Sequence, residues 1–451
     1  MKKRAFLKLA GTAGTGSLLS PLAMWGANSK VPDKMKNWAG NIEYGTENLY
    51  AAKSVEQVQE HVKKHSKMKV LGTRHCFNTI ADSKDAFLSL TEMQDAPVLN
   101  EAARQVTVDA NMTYGKLAPF LEERGYALHN LASLPHISVA GACSTGTHGS
   151  GEKNGNLSTA ASALEIVNAA GEVVALSRQN DGETFRGAVV GLGALGAITK
   201  VTLDVQPTFQ VKQWVYENMP LEAAAAHFDE IQASGYSVSL FTDWRSKNVN
   251  EVWIKSRLIG AKEFEAKPQF FGAKLATKNL HPIAVISAEN CTQQMGVAGP
   301  WYERLPHFKM GFTPSAGKEL QSEYFVPRRD AGKAIVAVEK LNEKISPHLM
   351  ITEIRTIAAD DLWMSPAYQQ DSVAIHFTWQ QDWPAVRAVL PEIEKALAPF
   401  GVRPHWGKLF TMAPAELRSR YKRLPEFMEL ARQFDLRGKF RNDFLNTYIF
   451  G

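Results

Sequence analysis

The residues best suited to chemistry cluster in three loops of small side chains. The stretch LASLPHISVAGACSTGTHGSG, residues 131–151, sets Gly141, Gly146, Gly149 and Gly151 among Ser133, Ser138, Ser144, Thr145, Thr147, His148 and Ser150. Backbone so free of bulk can approach a ligand closely, and successive N–H groups beside hydroxyls make an anion-binding concavity. Upstream, Leu71-Gly72-Thr73-Arg74-His75-Cys76-Phe77-Asn78 carries a lone histidine in a glycine-flanked turn. Downstream, Val190-Gly191-Leu192-Gly193-Ala194-Leu195-Gly196-Ala197 is a second glycine-rich turn. A diphosphate-bearing cofactor threaded among the three is the economical reading. Taken alone, the glycines would serve equally as a sharp loop between strands, and His75 as a surface residue.

The elements around these loops follow from periodicity. Residues 54–64 (SVEQVQEHVKK) space Val55, Val58 and Val62 as an amphipathic helix with Ser54 as its cap. Residues 68–72, 87–90 and 105–108 read as short strands, and 113–124 as a helix with Leu117, Phe120 and Leu121 on one face. Strands at 163–168, 173–176 and 198–205 complete a first half of α+β or α/β class, with the glycine loops at strand ends, where ligands bind. A boundary is expected near Val205-Gln206-Pro207. Beyond Phe209, strand-like runs at 238–244, 252–255, 351–357 and 373–379 alternate with helices at 221–234 and 331–345, which predicts a second, antiparallel sheet with helices on one side. Residues 261–281 form a polar, basic connection, and 413–434 read as helical before the tail at 435–444.

A chain of 451 residues exceeds one ordinary core, so two domains are expected. The net charge of +5 falls to +1 once Lys2, Lys3, Arg4 and Lys8 are set aside, so no basic face for nucleic acid is expected. Cys76, Cys143 and Cys291 are too few for a disulfide framework and read as small buried or loop thiols. Residues 1–29 have a basic start, a weakly apolar middle and small residues near Ala23 and Ala27, the pattern of a secretory signal. Lys3-Arg4-Ala5-Phe6-Leu7-Lys8 resembles a twin-arginine motif with Lys in the first position. The expectation is export to the periplasm, with a membrane anchor if the signal stays uncleaved. No other segment approaches the ~20 apolar residues of a span.

Several unrelated short blocks then occur in one order. They are NWAGNI (37–42), ASLPHISVAG (132–141), GTHGSG (146–151), YSVSLFTDWR (236–245), GPW (299–301), RLPHF (304–308), EIRT (353–356), HFTW (376–379) and RPHWGK (403–408), ending on GKF at 438–440. With these the chain resembles the vanillyl-alcohol-oxidase-type flavoproteins and, among them, the alditol oxidases, bacterial enzymes that oxidise sugar alcohols such as xylitol and sorbitol. Only a patch around 258–285 diverges.

The resemblance implies an α+β, two-domain fold of the vanillyl-alcohol-oxidase/PCMH type: an FAD-binding domain at 37–205, an antiparallel substrate (cap) domain at 206–407, and a segment, 408–451, returning to the first. It implies FAD bound covalently through His75 to the flavin 8α carbon. It further implies cofactor contacts from Gly72, Thr73, Arg74, Cys76, Phe77, Ser133, Ser138, Gly141, Ser144, Thr145, Gly146, Thr147, His148, Gly149, Gly196 and Ile198. Cys76 departs from the serine that commonly follows the histidine, and Cys143 reads as a buried thiol rather than a second tether. Hydride transfer from a carbinol carbon needs the hydroxyl's proton removed, the arriving charge met and the other hydroxyls held. Glu353 and Arg355 alternate on an expected strand and so share a face. On the resemblance, Arg355 and Lys408 are the catalytic cationic pair, Ser133, Glu353 and Thr378 join them in reading the substrate's hydroxyls, and either a neutral Lys408 or His376 takes the proton. His405 and Trp406 could equally be packing, and Ala132 would flank the flavin edge that meets oxygen. The expected partners are a sugar alcohol and molecular oxygen, with no metal, for a monomeric enzyme. An aldonolactone oxidase, or a sugar-alcohol dehydrogenase of the same fold serving a quinone or cytochrome, is the near alternative. A non-catalytic sugar- or flavin-binding protein is the alternative from another class.

Overall fold

The structure, a computed structural model, describes residues 34–259, 263–312 and 319–451, so the export signal expected at 1–29 lies outside the described residues. Residues 35–451 form one compact unit. Its first part holds two sheets of its own, besides a two-stranded pairing of Tyr126–Ala127 with Gln206–Pro207. In the smaller, Phe87–Ser89 lies between Leu49–Ala51 and Lys69–Leu71, all parallel. In the larger, Val98–Asn100, Gln105–Asp109, Ala197–Asp204, Ala161–Val167 and Val173–Ser177 run antiparallel in that order. The expected helix forms at Val55–Lys64, where Ser54 accepts a hydrogen bond from the Gln57 amide while Val58 and Val62 are buried. The chain class is therefore α+β, the more local of the two expectations for this half.

The second part is dominated by a ten-stranded sheet. Its long strands stand in the order Gln210–Pro220, Asn248–Arg257, Ser237–Thr242, Leu349–Ile357, Ser372–Gln380 and Glu319–Pro327, each antiparallel to the next. Two of these strands, Gln210–Pro220 and Glu319–Pro327, and the helix Trp383–Leu397 have no counterpart in the sequence reading. Glu319–Pro327 escapes a hydropathy pattern because Gln321, Ser322 and Glu323 are all buried, so polar side chains occupy the inside of the strand. Three expected helices are each interrupted. Residues 221–234 split at His227, 331–345 split into Ala331–Glu339 and Asn342–Ile345, and 413–434 split before Leu424–Phe434, whose first turn holds Pro425. A proline has no N–H to continue a helix arriving from its N-terminal side. The polar stretch after residue 263 contributes two short edge strands, Gln269–Phe270 and Ala273–Leu275.

The tail packs on the first part. The Met68 amide bonds to the Lys439 carbonyl at 3.0 Å, and Ala169 to Phe434 at 3.0 Å. Phe440 is fully buried in a cluster with Val58, Val62 and Leu88. Among the described residues no helix is long and apolar enough to cross a membrane, and the three cysteines are free, with Cys143 and Cys291 buried.

Candidate active site

A cavity of about 460 Å³ opens between the glycine loops and the face of the large sheet, a size typical of small-molecule sites. The loop wall comes from Gly72, Thr73, Arg74, His75 and Cys76, from Ala132, Ser133, Ser138, Gly141, Ser144, Thr145, Thr147 and His148, and from Gly193, Gly196 and Ile198. The sheet wall comes from Glu319, Gln321, Glu323, Glu353, Arg355, His376 and Thr378, with His405, Gly407 and Lys408 at its end. Three residues expected at the cofactor do not line it. Phe77 is buried beneath, with Lys408 Nζ 4.8 Å from its ring centroid. Gly146 faces Pro366, and Gly149 abuts Asn130 and Leu131, so these two glycines serve backbone packing.

Hydrogen bonds tie the two walls together. The Gly151 amide bonds to the Thr356 carbonyl at 2.9 Å, anchoring the end of the first loop to the strand that carries Glu353 and Arg355. The Phe77 amide reaches the Gly407 carbonyl at 2.8 Å, and Asn78 Nδ2 donates to Trp406 and Lys408 carbonyls at 2.8 and 2.7 Å. The histidine loop and the segment carrying Lys408 are therefore joined by three hydrogen bonds. Arg74 turns the chain with φ of 59°, and His75 follows, its ring 4.4 Å from that of Trp38 and its Nδ1 3.3 Å from His136 Nε2. Gly196 has φ of +139°, and a Cβ there would lie 2.3 Å from the Val167 carbonyl oxygen, so only glycine fits.

The antiparallel register sets the sheet wall. Glu353 pairs with His376, and His376 with Glu323, giving one row across three strands. Thr378 and Gln321 pair in the next row on that face. Arg355 Nη2 donates to Glu323 Oε1 at 3.0 Å, its Nε lies 3.5 Å from Glu353 Oε1, and its Nη1 lies 3.5 Å from Ser133 Oγ. One guanidinium thus reaches both walls. His148 Nε2 lies 3.0 Å from Glu323, and His307 Nε2 lies 2.6 Å from Glu353 Oε1. Lys408 Nζ donates to Gln321 Oε1, which His376 Nε2 also meets at 3.2 Å.

Burial controls the charge states here. It would raise the Glu353 carboxyl, but the Arg355 guanidinium and His307 together hold it well below the usual range. Glu323 is likewise held low against burial, by His148, His376 and Arg355. Burial, reinforced for His376 and His405 by Lys408, pulls those two rings down to about 3 and His307 to about 4, so all three are neutral near neutral pH. His75 is lowered well below its ordinary value by burial and by Lys408, and Lys408 itself is lowered by burial. The Cys76 thiol is pushed up to about 11 and Cys143 to about 12, both by burial. The site sets the Arg355 guanidinium and Lys408 over two ionised carboxylates, with neutral imidazoles between.

Of the residues singled out from sequence, Ser133, Glu353, Arg355, His376, Thr378, His405 and Lys408 share this cavity with His75, whereas Trp406 is packed behind it, donating to the Met364 carbonyl. Glu323, Gln321 and His307 were not singled out for a role. Glu319, Gln321 and Glu323 alternate in ELQSEYFVP, a polar period of two that marks a strand face turned towards a site.

The loop wall suits a flavin dinucleotide. Added Cβ atoms at Gly72 and Gly141 would come within 3.2 and 2.8 Å of Ser138 Oγ, so bare backbone is presented there, with the hydroxyls of Thr73, Ser138, Ser144, Thr145 and Thr147 beside it. Residues 47–177 match the FAD binding domain family, and residues 313–448 match the family described as D-arabinono-1,4-lactone oxidase. The alditol oxidase of a Streptomyces species is 44% identical over 419 residues, covering 92% of this chain and 99% of the relative. The L-gulonolactone oxidase of Mus musculus is 24% identical, with 92% and 98% covered. The L-gulono-1,4-lactone dehydrogenase of Mycobacterium tuberculosis is 25% identical, with 88% and 94% covered. Among solved structures, cholesterol oxidase from B. sterolicum superposes with a TM-score of 0.71 at 14% identity, over 92% of this chain and 96% of that one, a likeness of fold.

Proposed function

The chain belongs to the alditol oxidase family of FAD-dependent flavoproteins, and from that premise we propose that it oxidises a terminal hydroxyl of a sugar alcohol such as xylitol or sorbitol to the aldose, with oxygen reduced to hydrogen peroxide. FAD, when bound, supplies the redox chemistry by accepting the hydride. The chain's own task is to bind the polyol, deprotonate it and meet the charge. The observation that carries this reading is Arg355, held between Glu323 and Glu353 on one side and Ser133 of the loop wall on the other. A guanidinium so fixed is already oriented for an alkoxide forming at the boundary between the walls. Lys408, on the same cavity, has its ammonium disfavoured by burial, so as a neutral amine it can take the hydroxyl proton, with the neutral His376 the alternative acceptor, and then stand as a second cation beside the developing charge. The ionised Glu353 accepts from substrate hydroxyls, while Thr378 and Ser133 both donate and accept. Such a site rejects analogues that lack the hydroxyls it reads.

His75 is the residue to which we assign the flavin tether. It faces the cavity from a loop bonded to the Lys408 segment, and its imidazole is kept neutral, the form that can make a new bond at nitrogen. Protein precipitated with acid is expected to give a yellow pellet, and His75→Ala a colourless one; a yellow His75→Ala pellet would move the tether elsewhere.

Anaerobic addition of xylitol or sorbitol is expected to bleach the flavin absorbance, and admitted air to restore it promptly. Bleaching by an aldonolactone alone would favour the lactone oxidase reading, and slow recovery in air a quinone or cytochrome acceptor. Export by the segment 1–29 belongs to the same proposal, and the N-terminal residue of the mature protein checks it.

A further inference from the structure

Lys255 is a buried lysine without a part in the oxidation as proposed; burial lowers it to about 7, so below that pH it is an ammonium. It lies on the strand Asn248–Arg257 and is 1% exposed. Its Nζ donates to the carbonyls of Leu305 and Pro306, and lies 3.3 Å from His307 Nδ1. Carbonyl oxygens only accept, and an ammonium only donates. His307 Nδ1 is therefore the third acceptor, and the hydrogen of the neutral ring belongs on Nε2. That nitrogen is the one 2.6 Å from Glu353 Oε1. The other tautomer would set a lone pair against a carboxylate oxygen.

Packing holds the ring, and two charged partners assign its hydrogen, Glu353 at Nε2 and Lys255 at Nδ1. Phe241 and Trp253 meet His307 edge-on, with centroids 5.4 and 5.3 Å away, and Thr292 Oγ1 fixes the loop by donating to the Pro306 carbonyl at 2.8 Å. Aromatic edges do not discriminate between the two ring nitrogens, whereas the carboxylate at Nε2 and the ammonium at Nδ1 do, and both demand the same tautomer. The contacts of His307 and of Arg355 Nε with Glu353 both fall on Oε1.

We infer that Lys255 is a positioning residue for the carboxylate that reads the substrate. Acting through the tautomer of His307, it keeps Oε1 of Glu353 occupied by a donor, so that Oε2 accepts from a hydroxyl of the sugar alcohol. The identity of that hydroxyl rests on the alditol reading; the wiring from Lys255 to Glu353 does not.

Holoenzyme labelled with nitrogen-15 at histidine tests the wiring directly. At about pH 6, below the value of about 7 to which burial lowers Lys255, the ammonium is retained and His307 is expected to resonate as the Nε2–H tautomer, with the signal assigned by its loss in His307→Gln. Lys255→Met is expected to give a tautomer mixture and to raise KM for xylitol about tenfold, the cost of one hydrogen bond to a charged group, with little change in kcat. The glutamine of His307→Gln has no tautomers and can donate to Glu353 while accepting from Lys255. In that background Lys255→Met is expected to change KM by less than about twofold. An Nδ1–H signal in the parent enzyme overturns the inference, as do equal losses from Lys255→Met in both backgrounds. If Lys255→Met does not fold, Lys255→Leu is read in its place, and a tautomer unchanged from the parent in that variant overturns the inference. A parent enzyme that no sugar alcohol reduces sinks the substrate reading, and the nitrogen spectrum still judges the wiring.

Discussion

Arg355→Met is expected to lower kcat/KM for xylitol by about 10³-fold, near the upper end of the loss seen when one preorganised donor to a developing oxyanion is removed. The geometry is the reason. The guanidinium is oriented by Glu323 at 3.0 Å and Glu353 at 3.5 Å before any substrate arrives, so little reorganisation is left for the reaction itself. Methionine fills a similar volume without charge. The variant should also lose stability, because Glu323 and Glu353 are 2% and 5% exposed and each loses a cationic partner. Breaking a buried ion pair from one side costs about 3–5 kcal/mol, and His148 and His307 remain to offset part of it. Steady-state kinetics beside a thermal melt separate the two effects. A variant that melts several degrees lower but turns over within tenfold of the parent would remove Arg355 from the chemistry and leave it a structural ion.

Gly196→Ala is expected to cost about 4 kcal/mol of stability and to yield protein with little flavin, by forcing a side chain into a backbone region reserved for glycine. Its φ of +139° is outside the left-handed helical well that asparagine tolerates, and the new Cβ would sit 2.3 Å from the Val167 carbonyl oxygen. Backbone cannot yield there, because Val167 pairs with Ala197 in the five-stranded sheet. Gly40→Ala is the control. It also has positive φ, +71°, but nothing lies within 4 Å of its added Cβ, so only the conformational cost of about 1–2 kcal/mol applies. Equal melting points and flavin contents for the two variants would refute the steric argument.

Much of the first part was legible because its signals are local. Ser54 with Val58 and Val62 announced the first helix, and the glycines near His75, His148 and Gly196 announced loops that approach a ligand. The second part was legible only where apolar residues alternate. The strand Glu319–Pro327 hides its buried Gln321 and Glu323, since a polar lining reads from sequence like an exposed face. Phe77, Gly146 and Gly149, which the resemblance placed at the cofactor, do not line the cavity: Phe77 is buried, and the two glycines lie against Pro366 and against Asn130 and Leu131.

Sequence alone determined which chemical groups this protein owns and which of them share a strand: Glu353 beside Arg355, a histidine in a glycine turn, a lysine after Gly407. Spacing along a chain decides such things, because side-chain direction repeats every two residues in a strand. What only the tertiary structure decided is which charges meet. Glu323, His307 and Lys255 come from segments far apart in the chain, and sheet register with burial, neither of them a property of any short stretch, brought them around Arg355 and Glu353. Buried at such distances, those groups set one another's charge, and no count of residues along the chain could have assigned it.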